Sequence, residues 1–239
     1  MKQSNFTLFY FGIAVLFILF EALDLLYISF AARALLIPFL LVYYHLTARS
    51  KYTGFHRLIM TGLFFSWAGD IFMHFSVSGN NFLLSPSNYF LLALTSYIFV
   101  HLFYILAFII TPGKNTIVGK RFYQLLMILA YGAVFIWLVY NKLITPWGNF
   151  RIPVIVYTVL ILFMLAAALN RYGKVNGVSY MLVAIGALLF VFSDSLLIIN
   201  KFYEKVDFAK ILILTTHIIA QYLIATGSLK QDVLISEQE

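Results

Sequence analysis

Cysteine is absent from the 239-residue chain, which excludes disulfide bonds, thiolate metal sites and cysteine nucleophiles. Charge is nearly as scarce: 10% of residues are charged and 63% hydrophobic, with a mean hydropathy of +0.94. A soluble domain of this length could not cover so much apolar surface, so an ordinary cytosolic enzyme is excluded. There is no GxSxG serine elbow and no HExxH helix, which argues against the common lipase and metalloprotease routes. Obvious mid-span Gly/Pro breaks, frequent in discontinuous transport helices, are also missing. Lysine and arginine outnumber acids 16 to 9, a net charge of +7, but fall mostly between apolar runs rather than in one stripe. That distribution sets membrane orientation and does not form a nucleic-acid interface.

What the chain has is apolar length. Several runs exceed the roughly 18 residues needed to cross a bilayer, so the reading is a polytopic all-α membrane protein. Runs bounded by polar or breaker residues predict eight transmembrane helices near 6–27, 32–48, 56–76, 88–111, 121–141, 150–169, 177–199 and 208–229. Little chain remains for a soluble domain, and 1–239 reads as one integral membrane domain. The first run starts like a signal peptide, but it is long and lacks a small-residue cleavage pattern, so it is expected to be a true helix.

An even number of spans puts both termini on one side. That side carries Lys2, Arg49, Lys51, Arg57, Lys114, Lys120, Arg121, Arg171, Lys174 and Lys230; the other carries Arg33, Lys142, Arg151, Lys201, Lys205 and Lys210. The excess predicts cytoplasmic termini, in the inner membrane if the cell is bacterial. The halves 1–111 and 121–229 also resemble each other: Leu94-Thr95-Ser96-Tyr97-Ile98 aligns with Leu214-Thr215-Thr216-His217-Ile218, and Asp70 corresponds roughly to Asp194. Four helices per half would make a parallel 4+4 repeat.

An ionisable side chain in hydrocarbon costs at least about 2.5 kcal/mol on insertion scales, so such residues face a protein interior, a partner or a wet cavity. At 1.5 Å per residue, Asp70 lies roughly 9 Å below the non-terminal surface, with Asp194 at similar depth and His217 at roughly 13 Å, Gln221 deeper. Glu21 and Asp24 fall in the same layer, and Arg33 is expected at the shallow edge of span two. Tyr97, His101 and Tyr104 follow i, i+4, i+7 spacing on one face of span four. Together these define one polar pocket. Glu21 and Asp24 read as water-boundary residues; Tyr97, Tyr104 and the tryptophans read first as packing or interface anchors; His74 and His217 read as interfacial or core histidines. Asp70 and Asp194 are hardest to explain structurally, because two carboxylates at matching depth suggest one shared task. Small residues beside them, Gly69 and Gly186-Ala187, allow the close helix approach that task needs.

Two buried carboxylates near each other tend to share one proton, so one can serve as acid and the other as base. This suits acid-initiated cleavage through an oxocarbenium-like state. It equally suits a proton-coupled transporter of a small or lipid-like solute. A metal-dependent lipid amidase built from Asp70, His74, His101 and His217 is a further alternative.

At these residues the sequence resembles the YhhN-like lysoplasmalogenases, eight-span membrane hydrolases that cleave the vinyl ether bond of lysoplasmalogens. The resemblance runs through Arg33-Ala34-Leu35-Leu36-Ile37-Pro38, Ala68-Gly69-Asp70-Ile71-Phe72, His101-Leu102-Phe103-Tyr104, Gly186 to Asp194 with Ser195-Leu196-Leu197, Asn200-Lys201-Phe202, and Gln221. The family more often has lysine where Arg33 stands, and more often an aromatic at the place of His217. The resemblance implies a lysophospholipid substrate, choline or ethanolamine lysoplasmalogen, split into a fatty aldehyde and a glycerophospho-base. In that reading Asp70 and Asp194 are catalytic, Arg33 and Lys201 hold the phosphodiester, and Tyr97, His101, Tyr104 and Gln221 contact or orient substrate, with no cofactor and no metal.

Overall fold

The structure is a computed structural model and describes residues 3–23, 25–49, 53–78, 83–111, 121–145 and 148–231. In hydrocarbon every backbone N–H and C=O must find a partner inside the chain, which leaves long helices as the solution for these apolar runs. Among the described residues there are eight of membrane length. They are α1 (Gln3–Ala22), α2 (Leu26–Ala48), α3 (Gly54–Ser78), α4 (Pro86–Ile109), α5 (Phe122–Val139), α6 (Arg151–Leu169), α7 (Gly177–Ile198) and α8 (Ala209–Leu229). The only extended structure described is a two-residue antiparallel pair, Ile144–Thr145 with Gly148–Asn149, in the α5–α6 connection.

Local chemistry marks several helix starts. Ser85 caps α4 by accepting from the Asn88 backbone N–H, with Pro86 in the first turn, and Asn176 caps α7 by accepting from that of Ser179. Both satisfy an N–H that the first helical turn leaves without an intrahelical partner. Gly173 takes a left-handed backbone, φ 74°, in the turn between α6 and α7, a conformation that costs glycine little.

Two boundaries differ from the sequence expectation and both matter for the site. The break between the first two helices falls between Ala22 and Leu26, not near residue 30, because the apolar residues from Leu26 onward begin α2 rather than ending α1. Arg33 is therefore seven residues into α2, roughly 10 Å from its start, and buried rather than at the membrane edge. At the other end α7 continues as a π-turn over Ile199–Tyr203, so Lys201 projects from a helical extension instead of a free loop.

Packing centres on two tight hairpins, α3 with α4 and α7 with α8. Absence of a side chain lets the helices close. A Cβ on Gly69 would lie 2.7 Å from the Tyr97 ring, and one on Gly186 would lie 3.0 Å from the Ala220 carbonyl oxygen. Gly62 abuts the Tyr104 ring in the same way. This is the close approach that small residues permit in membrane bundles. α4 joins the hairpins through α6, while α1 and α2 lean on α3 and α8. α1 takes part in the core through Phe6, Tyr10, Ala14 and Phe17, all buried. Tyr10 donates to the Ile218 carbonyl at 3.2 Å, tying α1 to α8.

Candidate active site

The ends of α1, α3 and α7 and the start of α8 surround a cavity of about 370 Å³ that opens at the non-terminal face. Asp70, Asp194, Tyr97 and His217 line its inner part; Arg33, Glu21, Lys201, Lys205 and Lys210 supply the rest of its charged lining; Met73, Phe90, Leu197 and Leu214 are among its apolar walls. Asp70 and Asp194, on different helices, thus face one space. The compact hairpins put them there, since each aspartate belongs to the helix whose glycines admit its partner.

The two carboxylates are held in the same manner. The Tyr97 hydroxyl donates to Asp70 Oδ1 at 2.7 Å, and His217 Nε2 stands 3.4 Å from the same oxygen. The Tyr157 hydroxyl donates to Asp194 Oδ2, and His101 Nε2 stands 3.5 Å from that oxygen. Among the described residues no hydrogen bond takes the second oxygen of either carboxylate. Each aspartate therefore accepts a tyrosine hydrogen bond on one oxygen, with a histidine beside that same oxygen, and the other oxygen is left for chemistry. The fully buried Phe190 ring separates the two histidines, with centroids 5.1 Å from His101 and 5.0 Å from His217.

Nearer the mouth the arrangement is ionic. Arg33 reaches the Glu21 carboxylate at 3.7 Å and the Asp70 carbonyl oxygen at 3.4 Å, with its guanidinium over the Phe17 ring. Lys210 contacts the same Glu21 carboxylate at 3.3 Å. Glu21 is 4% exposed, so it is an interior counter-ion rather than a residue at the water boundary. Asp24 lies outside the described residues. The Lys201 ammonium sits 5.0 Å from the centre of the Phe90 ring, an amphipathic placement that keeps its charge at the cavity.

Of the residues singled out in the sequence, Asp70, Asp194, Glu21, Arg33, Tyr97, Lys201 and His217 line the cavity, and His101 touches Asp194 without lining it. Tyr104 and Gln221 do not reach the cavity. Tyr104 donates to Gln221 Oε1 at 2.7 Å, and Gln221 Nε2 donates to Ser66 Oγ at 2.7 Å, a buried chain tying α4, α8 and α3. His74 stands apart, its ring 4.6 Å from that of Phe30. Among the described residues no three His, Asp or Glu side chains converge as a metal ligand set, so the amidase constellation is not assembled.

Sequence reading missed Tyr157, which is fully buried at the centre of α6. A signal was available: Tyr157 is the only tyrosine in that apolar helix, and a buried phenol needs a hydrogen-bond partner. It also missed Lys205 and Lys210 as cavity residues.

No curated protein and no solved structure matches the chain. The profile of the YhhN family matches residues 28–228, from the start of α2 to the end of α8 and across every helix that supplies the paired aspartates and their tyrosine and histidine partners. The chain belongs to the YhhN family.

Proposed function

We propose that this membrane protein hydrolyses the vinyl ether bond of a lysoplasmalogen, releasing a fatty aldehyde and a glycerophospho-base. The observation that carries the reading is the pair of aspartates, each tied through one oxygen and open at the other, facing one cavity with apolar walls and a cationic mouth. Family membership supports a hydrolase of this class.

A single-chain lipid would enter with its tail along the apolar walls and its phosphodiester against Arg33 and Lys201. One aspartic acid delivers its proton to the vinyl carbon remote from the ether oxygen, producing an oxocarbenium ion that the opposite carboxylate stabilises. That carboxylate accepts a proton from water as the water oxygen bonds to the cationic carbon. The hemiacetal then breaks its bond to the glycerol oxygen, which takes up a proton. One water is consumed, the aldehyde leaves, and the acid and base are restored by proton exchange. Tyr97 with His217, and Tyr157 with His101, hold the two carboxylates in the orientation this needs. With cytoplasmic termini, the cavity would open toward the opposite side of the membrane.

The test uses purified protein in micelles with a lysoplasmalogen and its saturated ether analogue, followed by aldehyde detection. Aldehyde should come from the vinyl ether alone, because only that bond forms the cation by carbon protonation. Asp70→Asn and Asp194→Asn should each lower turnover by about 10²–10⁴-fold, the usual worth of a positioned acid or base, with unchanged thermal unfolding. Normal turnover by either variant refutes the mechanism. Counterflow of labelled lipid without chemical change would instead assign a transporter.

A further inference from the structure

Glu21 is the acid on the cavity wall that the proposed hydrolysis does not use. It sits in the last turn of α1, buried, and lines the cavity beside Arg33. Its Oε1 faces both cations, Arg33 at 3.7 Å and Lys210 at 3.3 Å, and the Ser29 hydroxyl also reaches the carboxylate. The other oxygen, Oε2, is buried and accepts no hydrogen bond among the described residues. Arg33 is left with a donor to match. Its Nη1 meets the Asp70 carbonyl oxygen at 3.4 Å, but its buried Nε has no hydrogen-bond partner among the described residues. A buried carboxylate oxygen and a buried guanidinium N–H both cost free energy while unmatched. A hydroxyl group can serve both at once, donating to the oxygen and accepting from the nitrogen. An ammonium could serve only the oxygen, and it would be a third cation on a carboxylate that already faces two.

The order of groups along the cavity selects the hydroxyl. Through its bond to the Asp70 carbonyl, Arg33 stands between the aspartates and the mouth. In a lysoplasmalogen the vinyl ether is followed by the first glycerol carbon, then the carbon bearing the free sn-2 hydroxyl, then the carbon bearing the phosphate. With the vinyl ether between Asp70 and Asp194 and the phosphate against Arg33 and Lys201, the sn-2 hydroxyl falls beside Arg33 and Glu21. Asp70 and Asp194 are engaged at the vinyl carbons, which leaves Glu21 as the acid that can accept from it.

Resting on the hydrolase reading of this cavity, we infer that Glu21, held by Arg33, accepts the hydrogen bond of the free sn-2 hydroxyl and thereby restricts the site to single-chain lipids. A second acyl chain on that oxygen removes the proton and leaves Glu21 Oε2 buried without a donor, the situation in which a polar site discriminates most strongly. Glu21 precedes the residues that the family profile matches, so membership assigns it no role.

The test removes the hydroxyl from the lipid and Glu21 from the protein. A saturated alkyl ether lysophosphocholine and its 2-deoxy analogue are titrated into the full-length protein in nonionic micelles, and the two corresponding vinyl ethers are assayed for aldehyde. A hydrogen bond to a charged group is worth about tenfold or more, so the hydroxyl lipid should lead by at least that factor in both Kd and kcat/KM. Glu21→Ala should bring both ratios to within about twofold of unity, and Glu21→Gln, which keeps an acceptor oxygen without the charge, should fall between. Each ratio compares two lipids on one protein, so a partial loss of folded protein cancels. Where Glu21→Ala does not fold, Glu21→Gln decides, and an unchanged ratio in it overturns the inference. Ser76→Ala removes an unpartnered buried hydroxyl from the α3 wall of the same cavity and should leave both ratios as in the parent. Equal binding of the two lipids by the parent protein overturns the inference, as does a ratio that survives Glu21→Ala or is lost only in Ser76→Ala. So does a Glu21→Ala protein that keeps the hydroxyl ratio but no longer distinguishes phosphocholine from phosphate headgroups, which makes Glu21 a headgroup contact. If the binding ratio depends on Glu21 but no vinyl ether yields aldehyde, the inference stands and the hydrolase reading falls.

Discussion

Replacing Tyr157 by phenylalanine isolates the part of the site that holds Asp194. The phenol donates its proton to Asp194 Oδ2, and the only other described contact on that oxygen is His101 at 3.5 Å. Phenylalanine keeps the ring that packs 5.2 Å from His101, centroid to centroid, so the change removes one hydrogen bond with little loss of volume. A hydrogen bond to a charged group contributes about 1.5–3 kcal/mol. If it serves to aim the carboxylate in the transition state, kcat falls about 10- to 150-fold, at roughly 1.4 kcal/mol per tenfold. Tyr157 does not line the cavity, so KM should stay within about twofold, the pattern of an interaction felt mainly in the transition state. The assay is aldehyde release coupled to an aldehyde dehydrogenase, followed by NADH absorbance, with thermal unfolding in the same detergent as the folding control. A kcat within twofold of the parent, or a loss explained entirely by a lower unfolding temperature, would refute the assignment of Tyr157 as a positioning residue.

Other outcomes follow from the same contacts. Tyr97→Phe removes the equivalent bond to Asp70 but also alters the cavity surface, so both kcat and KM should change, and steady-state kinetics with a single lysoplasmalogen distinguishes it from Tyr157→Phe. Gln221→Met strips the partners of Tyr104 and Ser66 in the core; leaving those buried groups unpaired should destabilise by about 1–3 kcal/mol each, seen as a lower unfolding temperature with KM retained. A raised KM at unchanged stability would return Gln221 to the substrate site. Gly186→Leu drives a side chain against the Ala220 carbonyl and the Ile224 backbone nitrogen, forcing α7 from α8; overpacking of this kind costs about 1–3 kcal/mol or more, and unfolding temperature and turnover should fall together.

The apolar runs by themselves determined the eight membrane helices, because runs of about 20 apolar residues suit a helix that pairs its own backbone groups in hydrocarbon and are too long for barrel strands. They also singled out Asp70 and Asp194, since a carboxylate at that depth is too expensive to be incidental. Whether the two aspartates met could not be read from spacing, because it depends on how α3, α4, α7 and α8 rotate against one another and on how closely Gly69 and Gly186 let them approach. Only the tertiary structure placed Tyr157 on Asp194, drew Glu21 inward between Arg33 and Lys210, and moved Tyr104 and Gln221 out of the cavity into a tie between helices. A hydropathy pattern records what a side chain costs in lipid; it does not record which neighbour repays that cost, and that choice is made by packing.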